Sequence, residues 1–89
     1  MTERAVDWTV DIFIEESDDL TRARARLQTR DTQMTATGSA RRSPRDPAVP
    51  EIGDELATAR ALMALAEQLL HSAASDIEAA AATAAAGKH

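Results

Sequence analysis

Between Trp8 and Arg41 apolar and polar residues alternate in three short runs, and beyond Pro44 that alternation does not return. In the first run Trp8, Val10, Ile12 and Ile14 share one face while Thr9, Asp11, Phe13 and Glu15 share the other. Period two is the signature of a strand with one covered face. A polar turn, Glu16-Ser17-Asp18-Asp19, separates it from a second run over Leu20 to Thr29. There Ala23, Ala25 and Leu27 point one way and Arg22, Arg24 and Arg26 the other. Arg30-Asp31 marks a second tight turn, and Gln33 to Arg41 forms a third run with Met34, Ala36, Gly38 and Ala40 inward. Pairing Trp8 with Leu27 and Ile12 with Ala23 keeps the inward sets on one face, and it sets Arg24 opposite Asp11. Pairing Leu27 with Met34 and Ala25 with Ala36 does the same for the second hairpin. A slip of one residue would turn a whole face to solvent. The chain is thereby constrained to an antiparallel meander.

Three prolines, Pro44, Pro47 and Pro50, make the next stretch an extended connector that ends the sheet. Pro50 with Glu51, Asp54 and Glu55 then opens a helix, since proline suits the first turn and acids suit its positive end. At 100° per residue Ile52, Leu56, Ala59, Leu62, Met63, Ala66, Leu69, Leu70, Ala73 and Ile77 gather on one side, with Leu65 at its edge. Arg60, Glu67, Gln68, His71 and Ser72 lie opposite. A sheet face of small residues needs only a narrow part of such a stripe, so its surplus width predicts a second covered surface. Ser75-Asp76-Ile77-Glu78 reads as a capping box, which predicts a pause there and a short second helix. The expected fold class is α+β, a three-stranded antiparallel meander followed by a long C-terminal helix. Residues 1–7 form a tail, 8–79 the domain, and 80–89 an alanine-rich tail.

Composition bears on association. In 89 residues alanine supplies about half of the 44% hydrophobic content, and cysteine is absent. A chain so short of large apolar side chains, with no disulfide, gains stability by associating, so a homodimer is expected. The net charge of −5 is unevenly spread. A basic block with seven arginines between residues 21 and 45 lies between two acidic segments. Such asymmetry concerns partners rather than fold.

The outward row Arg22, Arg24, Arg26 on the central strand is the most informative surface. Flanked by Phe13 and by Thr35, Thr37 and Ser39, it suits contact with phosphates. It also suits a cross-strand charge ladder with Asp11 and Glu15, and both readings are open. Arg41, Arg42 and Arg45 form a second basic cluster, either a nucleic-acid arm or a solvated loop. His71 has no second histidine or any cysteine at metal-ligand spacing, so no metal site is expected. Nucleophile–base groupings and glycine-rich phosphate loops are missing as well. The expectation is a non-enzymatic chain with no cofactor and no small-molecule substrate. No apolar run reaches the ~20 residues that span a bilayer, and MTERAVDW lacks a signal-peptide pattern, so no membrane role and a cytoplasmic location are expected.

Five segments carry a resemblance: Trp8 to Asp11, Thr21 to Leu27, Val49 to Leu56, Ala59 to Leu62 and Asp76 to Ala79. In them the chain resembles a group of small actinobacterial proteins of unknown function with a dsRBD-like fold, which includes dormancy-linked mycobacterial members. The resemblance implies a β-β-β-α order and suggests comparison with ribosome-hibernation factors of similar fold. True double-stranded RNA binders place lysines at the start of the last helix, where this chain has Glu51, Asp54 and Glu55. The functional expectation is a dimeric stress- or dormancy-associated protein that binds a macromolecule, the ribosome or its RNA, through the arginine face. The alternative is a protein–protein adaptor. In a third arrangement the outer face is itself the dimer contact.

Overall fold

The computed structural model describes residues 3–86. Strands β1 (Thr9–Ser17), β2 (Leu20–Gln28) and β3 (Gln33–Arg41) form one antiparallel sheet in the order β1-β2-β3, and a single helix, α1 (Pro50–Ala86), follows. The meander-plus-helix expectation holds. The second hairpin has the expected register, with Leu27 opposite Met34 and Ala25 opposite Ala36. In the first hairpin the register differs by two residues: Val10 faces Leu27, Ile12 faces Ala25 and Ile14 faces Ala23. A shift of two keeps every residue on its face, so alternation alone does not distinguish the two pairings. The turn decides. Ser17 pairs with Leu20, leaving a two-residue link in which Asp18 takes a positive φ of 49°, a conformation aspartate tolerates better than most residues. β1 accordingly ends at Ser17 rather than Glu15, and Trp8 lies just before it.

Small residues decide how α1 meets the sheet. Ala57, Ala61 and Leu65, four residues apart, are its buried positions, and they rest on Ala23, Ala25, Leu27, Ala36 and Ala40. Gly38 explains the choice. A methyl added there would stand 2.6 Å from the Ala57 carbonyl oxygen and 2.7 Å from the Arg60 carbonyl carbon. The helix backbone thus lies directly on β3, a closeness that side chains larger than alanine would prevent. Packing the broad apolar stripe against the sheet would hold the helix several ångströms further off. The sheet therefore takes only Leu65 and Leu69 from the edge of that stripe. Its centre faces away, with Met63 61%, Leu70 72% and Ile77 69% exposed. This corrects the expectation that the stripe packs on the sheet.

From the side of α1 nearest β3, two polar side chains close the free edge of that strand. The Arg60 guanidinium donates from Nη1 to the Ser39 carbonyl at 2.7 Å, and Gln68 Nε2 donates to the Thr35 carbonyl at 3.0 Å. Capping an edge strand in this way withdraws two carbonyls from strand addition. β1, at the opposite edge, receives little cover from α1, and Val10 and Ile14 on its inner face remain 43% and 42% exposed.

The helix is continuous through Ser75, so the expected pause and short second helix do not occur. A run of strong helix formers on both sides outweighs an internal capping signal. At 1.5 Å per residue, 37 residues span about 55 Å, against about 30 Å for a nine-residue strand. From Ala73 to Ala85 every residue is exposed. The helix projects past the sheet, and the molecule measures 66 × 25 × 18 Å.

Two predictions follow from this packing. Gly38→Ala should lower unfolding free energy by about 3 kcal/mol in chemical denaturation, because the added methyl meets backbone on both sides. Gly53→Ala should be near neutral, because its methyl meets the Thr21 hydroxyl, which can rotate, and the helix gains an alanine. Equal effects at the two sites would contradict the close-approach account. The second concerns Glu16, whose pKa is raised above the ordinary 4.5, first through a hydrogen bond with the Asp54 carboxyl and then through repulsion from Asp54. Burial and Glu51 add to the shift. A raised carboxylate pKa favours the fold below the ordinary value and loses that contribution as pH rises through the raised one. Glu16→Gln should therefore melt higher than the parent at neutral pH and match it in acid. An offset in Tm independent of pH would contradict the pairing.

Candidate nucleic-acid interface

The outer sheet face carries the expected arginine row, but its internal pairing follows the true register. Phe13 stands opposite Arg24, and Asp11 opposite Arg26. Both guanidinium groups approach the Phe13 ring, each with its central carbon 5.1 Å from the centroid. Arg26 also donates from Nη2 to Asp11 Oδ2 at 3.3 Å. Arg24 therefore does not face Asp11, which corrects the expected ladder. Arg26 is the arginine held by charge, while Arg24 is held only by the aromatic face. Arg22 stands between Glu15 and Ser39 in the strand register. Among the described residues the ion pairs are Arg26–Asp11 and Arg42–Asp19, so neither Arg22 nor Arg24 has an acid within bonding distance.

Phe13 is 40% exposed and lies between two cations, an arrangement worth roughly 0.5–1 kcal/mol per cation–π contact at such a site. Its effect on geometry matters more than its stability. A guanidinium lying on a ring has lost much of its rotamer freedom, so less is lost when it meets a planar anionic group. Arg24 is therefore pre-set in a way that a free surface arginine is not.

The second basic cluster is distributed differently. Arg42 is a strut. Its backbone N–H donates to the Asp19 carbonyl at 2.7 Å, and its Nε and Nη2 donate to Asp19 Oδ1 at 3.1 and 2.8 Å. Its Nη1 donates to the Asp46 carbonyl at 3.1 Å. The end of β3, the β1–β2 turn and the connector are thus tied together by one side chain. Asp46 in turn accepts from the Ser43 backbone N–H at 2.9 Å. Arg41 and Arg45 are exposed around this knot. The role of Asp19 was not visible in the sequence, because its partner lies 23 residues away across the sheet end.

A recess of about 570 Å³ opens at this same end, lined by Glu16, Asp19, Arg42, Asp46, Ile52 and Leu56 among others. Two arginines border it, Arg41 and Arg42; Arg42 is already engaged by Asp19 and by the Asp46 carbonyl, and the other charges of the lining are acidic. Among the described residues no group of three His, Cys, Asp or Glu side chains could hold a metal ion, and no helix is long and apolar enough to cross a membrane.

The comparisons with known proteins fit this fold. The chain is 53% identical over 72 residues to the uncharacterised protein Mb1767 of Mycobacterium bovis, covering 81% of this chain and 77% of that protein. It is 54% identical over 70 residues to the uncharacterised protein Rv2632c of Mycobacterium tuberculosis, covering 79% and 75%. The crystal structure of Rv2632c superposes with a TM-score of 0.82 at 48% identity, over 90% of this chain and 95% of that one. No enzymatic family is indicated by these matches. The Rv2632c-like family model matches residues 6–86, and the chain belongs to that family.

Proposed function

We propose that this chain is a non-catalytic, dimeric binding protein that engages the ribosome through the outer face of its sheet. The observation that carries the reading is the pair Arg22 and Arg24 on the central strand, neither of which has an ion-pair contact among the described residues, although Glu15 stands opposite Arg22 in the register. Arg24 lies against Phe13, whose ring offers an apolar surface beside the charge. Cations and an aromatic on one face of a sheet match the phosphates and exposed bases of folded RNA. Thr35, Thr37 and Ser39 on β3 add hydroxyls beside them.

The net charge of −5 sets the strength of this contact. Acidic residues on α1 and the turns repel a polyanion from much of the remaining surface. Binding then favours the arginine face, and its affinity falls with salt. A regulatory protein that must release its target fits such a contact, in keeping with the stress or dormancy setting that the family resemblance implies. The Asp11–Arg26 pair favours a second reading, a protein–protein adaptor, because it lowers the net positive charge of the face.

Sedimentation with ribosomes on a gradient separates the two. The parent should travel with ribosomes at low salt and largely dissociate at physiological salt, whereas Arg22→Glu with Arg24→Glu should remain at the top under both conditions. Absence from the ribosomal fractions at either salt would overturn the ribosome reading. A pull-down in which the same double variant loses a protein partner while bound RNA is unchanged would establish the adaptor instead.

A further inference from the structure

The stripe on the back of α1 is more ordered than an accidental apolar surface. Counting from Ile52, its central positions recur at alternating steps of four and three residues as far as Ile77. That is a heptad repeat sustained over more than three heptads; Ile52 and Leu56 border the recess at the sheet's end, and from Ala59 onwards its positions run along the side of the helix away from the sheet. One set of positions is large: Leu56, Met63, Leu70 and Ile77. The alternate set is small after Ile52: Ala59, Ala66 and Ala73. The large set is 46%, 61%, 72% and 69% exposed. A solvated helix has no reason to keep a 3.5-residue apolar period, and packing on the sheet does not use it.

We infer that this stripe is a seam for a second copy of the chain, the two helices lying back to back and antiparallel with Met63 of one protomer against the partner's Ala66. The inference rests on the homodimer in the reading above and is independent of what the arginine face binds. Size complementarity selects the antiparallel arrangement. In an antiparallel pair each large position meets a small one, so Leu56 meets the partner's Ala73 and Leu70 meets the partner's Ala59. Every inner layer then calls for one helix separation. A parallel pair would set large against large and alanine against alanine, in layers that call for different separations.

Register follows from overlap and charge. Centring the pair between Met63 and Ala66 is the setting that covers the whole stripe, with Ile52 of each copy against the partner's Ile77. The paired length, from Ile52 to Ile77, is about 38 Å at 1.5 Å per residue. Beside the central layers, Arg60 then lies next to the partner's Glu67 on one flank, and Leu62 next to the partner's Leu69 on the other. Arg60 keeps its Nη1 on the Ser39 carbonyl of its own strand, so only its remaining N–H groups are left for the partner's carboxylate, a pairing of opposite charges made twice by symmetry. The leucine pair widens the apolar contact towards the uncovered inner face of β1. Glu55 and the partner's Asp76 are like charges, but they fall at the solvated ends, where screening is strongest. In this assembly the sheets lie outermost, and the two arginine faces look in opposite directions.

The absence of cysteine makes a direct test clean. Met63→Cys and Ala66→Cys proteins, mixed and oxidised gently, should give the mixed disulfide as the main product, and neither variant alone should cross-link efficiently. Light scattering should report a dimer for the parent. Leu70→Glu should be a monomer with unchanged helicity by circular dichroism, because Leu70 is 72% exposed and outside the monomer core. A parent that scatters as a monomer would overturn both the dimer and the seam. A dimer that survives Leu70→Glu, or one in which Met63→Cys links to itself in preference to Ala66→Cys, would overturn the seam while leaving the dimer standing.

Discussion

The contact between the α1 backbone and β3 at Gly38 sets the arrangement of the rest of the molecule. Because that position has no side chain, and because Ala57 and Ala61 face it, the helix settles onto the strand with almost nothing between them. Three consequences come from this one closeness. Among the described residues the buried core is mostly alanine, with Leu27 and Leu65 its only large members. The long polar side chains flanking the contact, Arg60 and Gln68, are near enough to reach β3 carbonyls and close its edge. And the bulky apolar residues of α1, which cannot enter so thin an interface, are turned outwards. Packing of this kind relies on backbone proximity and dispersion more than on buried area, so on its own it gives a small stability margin.

The outer face of the sheet owes its order to a different constraint. β2 is central, so its outward side chains have neighbours on both flanks and cannot spread. Phe13 takes advantage of this by lying between Arg24 and Arg26, and Asp11 holds the second of these in place. The result is a rigid patch in which some cations are spent internally and others are presented. Association through the helices would leave that patch clear, since α1 and the outer face are on opposite sides of the sheet. Binding of a partner and pairing of two copies are therefore separable by mutation.

Much of the architecture was legible in the residues, and the two main departures have physical reasons. The strand alternation from Gln33 to Arg41 and the proline that opens the helix were enough to locate β3 and the start of α1 to the residue. The first hairpin was displaced by two because both pairings obey the same alternation. Only the preference for a two-residue Asp18-Asp19 turn over a four-residue one separates them. That displacement moved Asp11 from Arg24 to Arg26 and so changed which arginine stands unpaired. The orientation of α1 was misread for a sharper reason. A hydrophobic stripe is normally taken as the buried side of a helix, yet here the sheet presents Ala23, Ala25, Ala36 and Gly38, and the partner that fits such a surface is the helix's smallest face, not its most apolar one. The arginine row itself was visible as a row. Which of its members are presented required the fold.

The central claim is that α1 lies on the sheet through its small face. Proton–proton nuclear Overhauser contacts in the methyl region test it most directly. The account predicts contacts from the Ala57 and Ala61 methyls to the Gly38 α-protons, and none from the Met63 or Leu70 methyls to Ala25 or Ala36 within one chain. Intrachain contacts from Met63 or Leu70 to those sheet alanines, with Ala57 and Ala61 silent towards Gly38, would contradict it.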